Sequence, residues 1–308
     1  MGELWLHIIG NKTKREELDK IIKSNSLLHS YLFFGVDGIG KKLIAKEFAK
    51  KILCEKHEEE CNCKSCQCFE TNNHPDFQII NEKGENITIS QVRELIKSVY
   101  EKPILSTQKI YIINDADKMN VESQNCLLKT LEEPPEYICF ILIVSNIDMI
   151  LSTIKSRCTK INFNKLTTEE LSQALQGNNI EVKNISEKMY ILFNGSIGKA
   201  LNILEKKDIY MGIDNFFNML DSNNKIDFLT NGKKVFIKDN IYELLEYCIV
   251  IFFYNGRKQN NQKYLNCEKI VQKTINKLKR NCNYDMSIDQ MLYQIWEEVN
   301  ENDSWSKI

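Results

Sequence analysis

The 308-residue chain has no surplus charge, no long hydrophobic run and no internal repeat. Each absence removes a class of function. Lys and Arg total 41 against 42 Asp and Glu, a net charge of −1. A protein that grips DNA unaided carries a clear basic surplus, so any nucleic-acid contact is expected to be local or shared with partners. The longest apolar stretches, Ile138–Val144 and Cys248–Tyr254, fall far short of the roughly 20 residues a membrane span needs. No signal peptide is expected, because Lys12, Lys14 and Arg15 follow the first apolar residues instead of preceding them. The expected compartment is therefore cytoplasmic. There the 11 cysteines suit metal binding better than disulfides.

What is present is organised around residues 31–45. Tyr31–Phe34 reads as a short buried strand, followed by a loop carrying Gly35, Gly38 and Gly40 and by a helix opening near Lys41. This is the geometry of a phosphate cradle: glycines turn backbone N–H groups inward, a helix N-terminus adds positive potential, and a lysine reaches an outer phosphate. The pattern G-x-x-x-x-G-K-[ST] holds through Gly35, Gly40 and Lys41 and fails at Lys42, where a hydroxyl should hold magnesium.

Five cysteines then fall within fifteen residues: Cys54, Cys61, Cys63, Cys66 and Cys68. Cys63-x-x-Cys66 is a metal knuckle, and Cys54 and Cys61 complete a tetrahedral four-thiolate set of the structural zinc type. Cys68 is an alternative to Cys61, and His57 or His74 are further possible ligands. Such a closed site folds its loop and performs no chemistry.

Further strands are expected at Phe77–Ile80, Lys109–Ile113, Ile138–Val144 and Thr159–Phe163. They alternate with helices near Ser90–Val99, where Ser90 is the expected N-cap, and Val121–Glu133, which Pro134-Pro135 stops. A turn is expected around Gly84. The pattern is that of an open α/β parallel sheet with the phosphate loop at a strand's carboxyl end. Past Leu166 the pattern turns helical. Thr167 and Glu170 are spaced as a capping box, and Ile241–Phe252 and Ile288–Val299 carry apolar stripes. Lys269, Lys273, Lys277 and Arg280 align as a basic ridge, read as a solvated helix face, and Asn255–Gln262 reads as a loop. The expected division is 1–165 for the sheet domain with its insertion at 54–68, 166–208 for a small helical domain, and 209–308 for an all-helical one.

A hydrolytic site also needs a magnesium carboxylate and a carboxylate that orients water. Either register of the run after Lys109–Ile113 loses one of them. Aligning Asn114-Asp115 puts an amide on the metal, and sliding by one leaves Ala116 as the base. An ammonium at position 42 beside a divalent ion is also disfavoured. Hydrolysis is therefore expected to be lost, with nucleotide binding weak or absent. If the acidic run has no catalytic role, Asp115 and Asp117 simply cap and solvate a strand end.

In this order the motifs are specific. His29-Ser30-Tyr31-Leu32-Phe33, the cysteine cluster with Asn73-His74-Pro75-Asp76, Ile112–Met119, Asn125–Pro135 and Ser156-Arg157-Cys158 together resemble the delta-prime subunits of bacterial DNA polymerase III clamp loaders, within the AAA+ family. The resemblance implies a P-loop sheet domain with an inserted zinc loop, a helical lid and an all-α collar. It also implies a hetero-oligomeric ring with delta and tau or gamma subunits, which loads the sliding clamp on primer-template DNA during replication. On this reading the chain has no autonomous enzyme activity and contributes to the polymerase assembly and its clamp-loader ATPase. Arg157 of the Ser-Arg-Cys motif becomes an arginine finger offered in trans to a neighbour's ATP. Lys199 stands near the position of the lid arginine that reads nucleotide in AAA+ proteins. Counting back from His74, the family's remaining zinc cysteine falls on Glu60, and this chain has Cys61 instead. The competing readings are an active tau- or gamma-type ATPase and a zinc-dependent nucleic-acid binder.

Overall fold

The computed structural model describes residues 8–56, 61–81, 85–220 and 224–300. The expectations at His57, Glu60 and Gly84 lie outside them. The chain divides into two compact units, one formed by residues through Lys183 with Gly195–Lys199, the other by Asn184–Asn194 with the chain from Ala200 onward.

The first unit holds, in order, α1 (Lys12–Lys23), β1 (Ser30–Phe34), α2 (Lys41–Leu53), α3 (Lys64–Glu70), β2 (Phe77–Ile80), α4 (Ile89–Val99), β3 (Lys109–Ile113), α5 (Val121–Glu132), β4 (Ile138–Val144), α6 (Ser152–Lys155), β5 (Thr159–Asn162) and α7 (Thr168–Gly177). The strands form one parallel sheet in the order β2-β3-β4-β1-β5. Every residue of β3 and β4 is buried, as continuous apolar strands covered on both faces must be. Alternate residues divide between the faces. Tyr31, Phe33, Ile112 and Ile141 pack with Leu18, Ile44 and Phe48 from α1 and α2. Leu32, Tyr111, Ile113 and Leu142 pack with Val92, Leu95 and Leu127 from α4 and α5. Each such side chain contributes about 1.5–3 kcal/mol by leaving water. Because the strands are parallel, the turns after β1, β3 and β4 gather at one edge of the sheet, where open α/β sheets bind ligands.

One local expectation is corrected here. Helix α4 is capped by Thr88, not Ser90: Thr88 and Gln91 form a reciprocal capping box, which satisfies two backbone N–H groups instead of one. The Thr167–Glu170 box is present as expected. A helix that propensity did not reveal, α3, runs through the cysteine cluster with Cys63 as its N-cap.

The second unit contains only helices among its described residues: α8 (Glu187–Phe193), α9 (Ile197–Glu205, its first turn belonging to the sheet unit), α10 (Lys207–Phe217), α11 (Lys225–Val235), α12 (Ile241–Gln259), α13 (Gln262–Lys279) and α14 (Tyr284–Asn300). Both apolar stripes face inward, with Leu244, Leu245, Cys248 and Phe252 from α12 and Ile288, Met291, Leu292 and Ile295 from α14 buried. The expected loop at Asn255–Gln262 is instead mostly helix, since α12 continues to Gln259 and turns at Asn260, whose φ is 48°. The stretch is rich in Asn, and Gly256 lies within it. A Cβ there would stand 2.9 Å from Leu265, so the glycine serves a close helix crossing and not a break. On α13, Lys269 and Lys273 are exposed, as is Arg280 at its C-cap, and Lys277 donates to Gln290 at 2.7 Å. No helix among the described residues is long and apolar enough to cross a membrane.

Candidate functional site

The phosphate loop leaves β1 at Gly35 and enters α2 at Gly40, which serves as the helix N-cap with φ 93°. Gly38 has φ 72°, and a Cβ there would lie 2.4 Å from Ser196 Oγ and 3.1 Å from Gly198 Cα. The Gly198 N–H donates to the Gly38 carbonyl at 2.9 Å. Only glycine satisfies both the dihedral and the approach. Lys41 is 4% exposed. Its ammonium donates to the carbonyls of Gly35 and Val36, each at 2.8 Å, and to Ser145 Oγ at 3.2 Å. Burial lowers the Lys41 pKa, opposed by the charges of Asp37, Asp115 and Asp117.

The acidic turn after β3 is committed elsewhere. Asn114 turns its amide to the Asn81 carbonyl at 3.3 Å. Asp115 sits in the left-handed region at φ 50° and pairs with Lys118 at 3.0 Å. Asp117 Oδ2 accepts from the N–H groups of Ser145 and Asn146, at 3.2 and 2.9 Å. Its buried Oδ1 has no hydrogen-bond partner. Asp117 thus caps a strand end, that of β4, as expected of an acidic run without a catalytic role. Ser145 was missed as a site residue, although its signal was available, because it follows a fully apolar central strand at the sheet's ligand edge. The glycine loop suits a phosphate, and Lys41 would have to exchange one of its three internal acceptors to reach it. The residues at the metal positions suit a divalent cation poorly, since Lys42 replaces the hydroxyl, Asn114 offers an amide, Asp115 is paired with Lys118, and Asp117 has only one oxygen without a partner. Lys199, in the first turn of α9, donates its backbone N–H to Ser196 Oγ at 3.0 Å, so its helix start is capped.

The sulfurs of Cys54, Cys61, Cys63 and Cys66 lie within 4.8 Å of one another, compatible with the edges of a tetrahedron about one ion. Cys68 is outside this group. The cluster is built by the C-terminal end of α2, which delivers Cys54, and by α3, whose first turn carries Cys66 over Cys63. Burial pushes the Cys63 thiol up, but hydrogen bonds to its sulfur from the Cys66 and Glu55 backbone outweigh it and bring the pKa to about 7. Burial, chiefly, raises Cys66. A cluster holding one easily ionised thiol can begin to take up metal near neutral pH.

His74 is not among the clustered ligands; it supports their frame. Its Nδ1 accepts from the Asp76 N–H at 3.1 Å, so the proton resides on Nε2, which faces Ser65 Oγ at 2.8 Å. Ser65 in turn donates to the Leu53 carbonyl at 2.7 Å. Asp76, fully buried, accepts from the N–H groups of Ile104, Leu105 and Ser106, each at 2.7 Å. Thus Asn73-His74-Pro75-Asp76 fixes the base of the insertion to the loop before β3. Burial lowers the His74 pKa below 6.5, opposed by Asp76. Above 6.5 the neutral imidazole is native in both states, and the linkage is silent. As pH falls below 6.5 the unfolded chain takes the proton first, so stability declines until the folded pKa is reached. Urea titrations between pH 7.5 and 5 should show this decline, with a His74 share of at most about 1.4 kcal/mol per pH unit. His74→Gln should flatten it; an equal slope in both proteins would exclude His74 as its source.

Arg157 follows α6, at the surface. One Nη2 contact reaches Glu132, and Nη1 donates to the Thr153 carbonyl at 2.9 Å and faces Ser156 Oγ at 3.4 Å. Its backbone carbonyl accepts from Ser30 Oγ at 2.7 Å.

Comparison with known proteins places these features together. Residues 10–167 match the family model described as DNA polymerase III, delta subunit. The chain is 31% identical over 237 residues to the DNA polymerase III subunit gamma/tau of Mycoplasma genitalium, covering 72% of this chain and 40% of that protein. It is 35% identical over 156 residues to the DNA polymerase III subunit delta' of Bacillus subtilis, covering 50% of this chain and 47% of that one. The chain thus spans less than half the length of these relatives. A gamma-subunit-related protein of Thermotoga maritima shares the fold, with TM-score 0.53 and 18% identity over 92% of this chain and 99% of its own.

Proposed function

This chain belongs to the DNA polymerase III delta-subunit family, and from that premise we propose that it is a non-hydrolysing, delta-prime-type clamp-loader subunit. It would sit in a ring with delta and tau or gamma subunits, in the cytoplasm, and help place the sliding clamp on primed DNA. The division proposed is a sheet domain to 165, a lid over 166–208 and a collar over 209–308. The proposed roles are phosphate contact for Gly35, Gly38, Gly40 and Lys41, residual nucleotide sensing for Lys199, and structural zinc binding for Cys54, Cys61, Cys63 and Cys66.

The observation that carries the reading is the fate of the acidic turn: Asn114 and Asp115 are held by internal partners, and Asp117 by one of its two carboxylate oxygens, beside a loop whose magnesium hydroxyl is replaced by Lys42. A carboxylate already accepting backbone N–H groups, or paired with lysine, gains little by turning to a metal. The useful charge is then Arg157. A guanidinium remains charged at any working pH and presents a fork to phosphate oxygens, so it can stabilise charge that develops on a nucleotide held by a neighbour.

A second reading, an ATP-hydrolysing subunit, is favoured by the 31% identity to the gamma/tau protein. A nucleotide titration of the purified chain with and without magnesium separates the two. The expected result is weak binding that magnesium does not strengthen, and turnover at background. Magnesium-dependent turnover abolished by Lys41→Ala would establish the second reading.

A further inference from the structure

Glu132 is oddly placed. It is the last residue of α5 and is followed directly by Glu133 and two prolines. Two adjacent carboxylates at the negative end of a helix are electrostatically uphill. What Glu132 does have is Arg157, contacted through Nη2. Both side chains are partly exposed, 46% and 33%, and pairs of this kind add little to folding stability. The arrangement is therefore poorly explained as a device for stability.

It is well explained as a device for aim. The Arg157 backbone is tied through Ser30 to the strand that leads into the phosphate loop. Its Nη1 is tied to Thr153 in α6, and its Nη2 to α5. Two helices thus hold one flexible side chain, which otherwise samples many rotamers, while β1 fixes the backbone that carries it. A guanidinium has five N–H donors, and its contacts with Thr153, Ser156 and Glu132 leave capacity for phosphate oxygens. Holding it in advance removes the ordering cost from the moment of reaction.

We propose that Glu132 is a positioning residue for Arg157, fixing the guanidinium in one orientation for the terminal phosphate of a nucleoside triphosphate bound by a neighbouring subunit. The inference rests on the arginine-finger reading above. It adds that the carboxyl oxygen at this reach, more than its charge, is what the arginine needs.

The test compares Glu132→Ala, Glu132→Gln, Glu132→Asp and Arg157→Ala in the reconstituted clamp-loader complex, with steady-state ATP hydrolysis read against ATP concentration. Glu132→Ala is expected to lower the turnover of the site that Arg157 serves, taken as the part of kcat that Arg157→Ala removes, about threefold to tenfold with KM within twofold. Glu132→Gln, which keeps an acceptor at the same reach, should restore at least half of the rate, and Glu132→Asp, which keeps charge but loses reach, should not. A merely structural surface pair would not produce this order. Wild-type kcat in Glu132→Ala, with Arg157→Ala slow, would overturn the positioning role and leave the finger standing. A faster Glu132→Ala enzyme would overturn it too, because the carboxylate would then restrain the arginine. Wild-type turnover in Arg157→Ala would remove the finger and this inference with it. If Glu132→Ala misfolds, equal rates for the Gln and Asp variants overturn the proposal, and a faster Gln variant supports it.

Discussion

Arg157→Ala is expected to abolish turnover at the nucleotide site across the seam while leaving the chain folded and the ring assembled. Removing an arginine that stabilises phosphoryl-transfer charge costs on the order of 10³-fold or more at the site it serves. The fold should scarcely respond. The lost pair with Glu132 is partly exposed, and such pairs are worth about 0–1 kcal/mol. The backbone bond from Ser30 to the Arg157 carbonyl survives the substitution, since it uses no side-chain atom of Arg157. Pre-steady-state phosphate release from the reconstituted ring should lose the contribution of that one site, with unchanged subunit stoichiometry by analytical ultracentrifugation. Arg157→Lys should not rescue, because an ammonium is a point charge without the planar fork. A ring of normal composition hydrolysing at the wild-type rate would end the finger assignment.

The second large effect is expected from the cysteine cluster. Elemental analysis should find one zinc per chain, and removing it should melt the insertion. Structural zinc contributes roughly 10–16 kcal/mol of apparent binding energy in small zinc-folded peptides, far more than a helix of α3's length supplies alone. Here the loss is shared with a frame already held by Ser65, His74 and Asp76. Cys66→Ser should therefore cost a smaller sum, about 3 kcal/mol, and lower the melting temperature by roughly 6–12 °C. Cys68→Ser should be neutral, because its sulfur lies outside the clustered four. Calorimetry of both variants beside metal content is the check. A metal-free protein with unchanged melting would refute the site, and a larger loss in Cys68→Ser would reassign the fourth ligand.

Much of this architecture was legible in the residues. The apolar runs at Lys109–Ile113 and Ile138–Val144 could only be central parallel strands, and they are fully buried. Gly35, Gly38, Gly40 and Lys41 announced a phosphate loop by spacing alone. Where the reading failed, a longer-range partner outweighed local composition. Asn255–Gln262 has the composition of a loop, yet Gly256 is there to admit Leu265. Ser90 could cap a helix, but Thr88 with Gln91 closes two bonds. Ser145 carries no motif, and it meets Asp117 only because β3 and β4 are neighbours in the sheet.

By itself the sequence determined the α/β pattern, the glycine loop, the defect at Lys42 and the thiol supply, because each is a matter of residue type at short spacing. Only the tertiary structure decided which four sulfurs gather, that most of the acidic turn is spent on internal partners, and that Glu132 holds Arg157 across 25 residues of chain. Those outcomes depend on which elements the sheet order brings together. Spacing along the chain does not encode that when the deciding contacts join residues far apart in sequence.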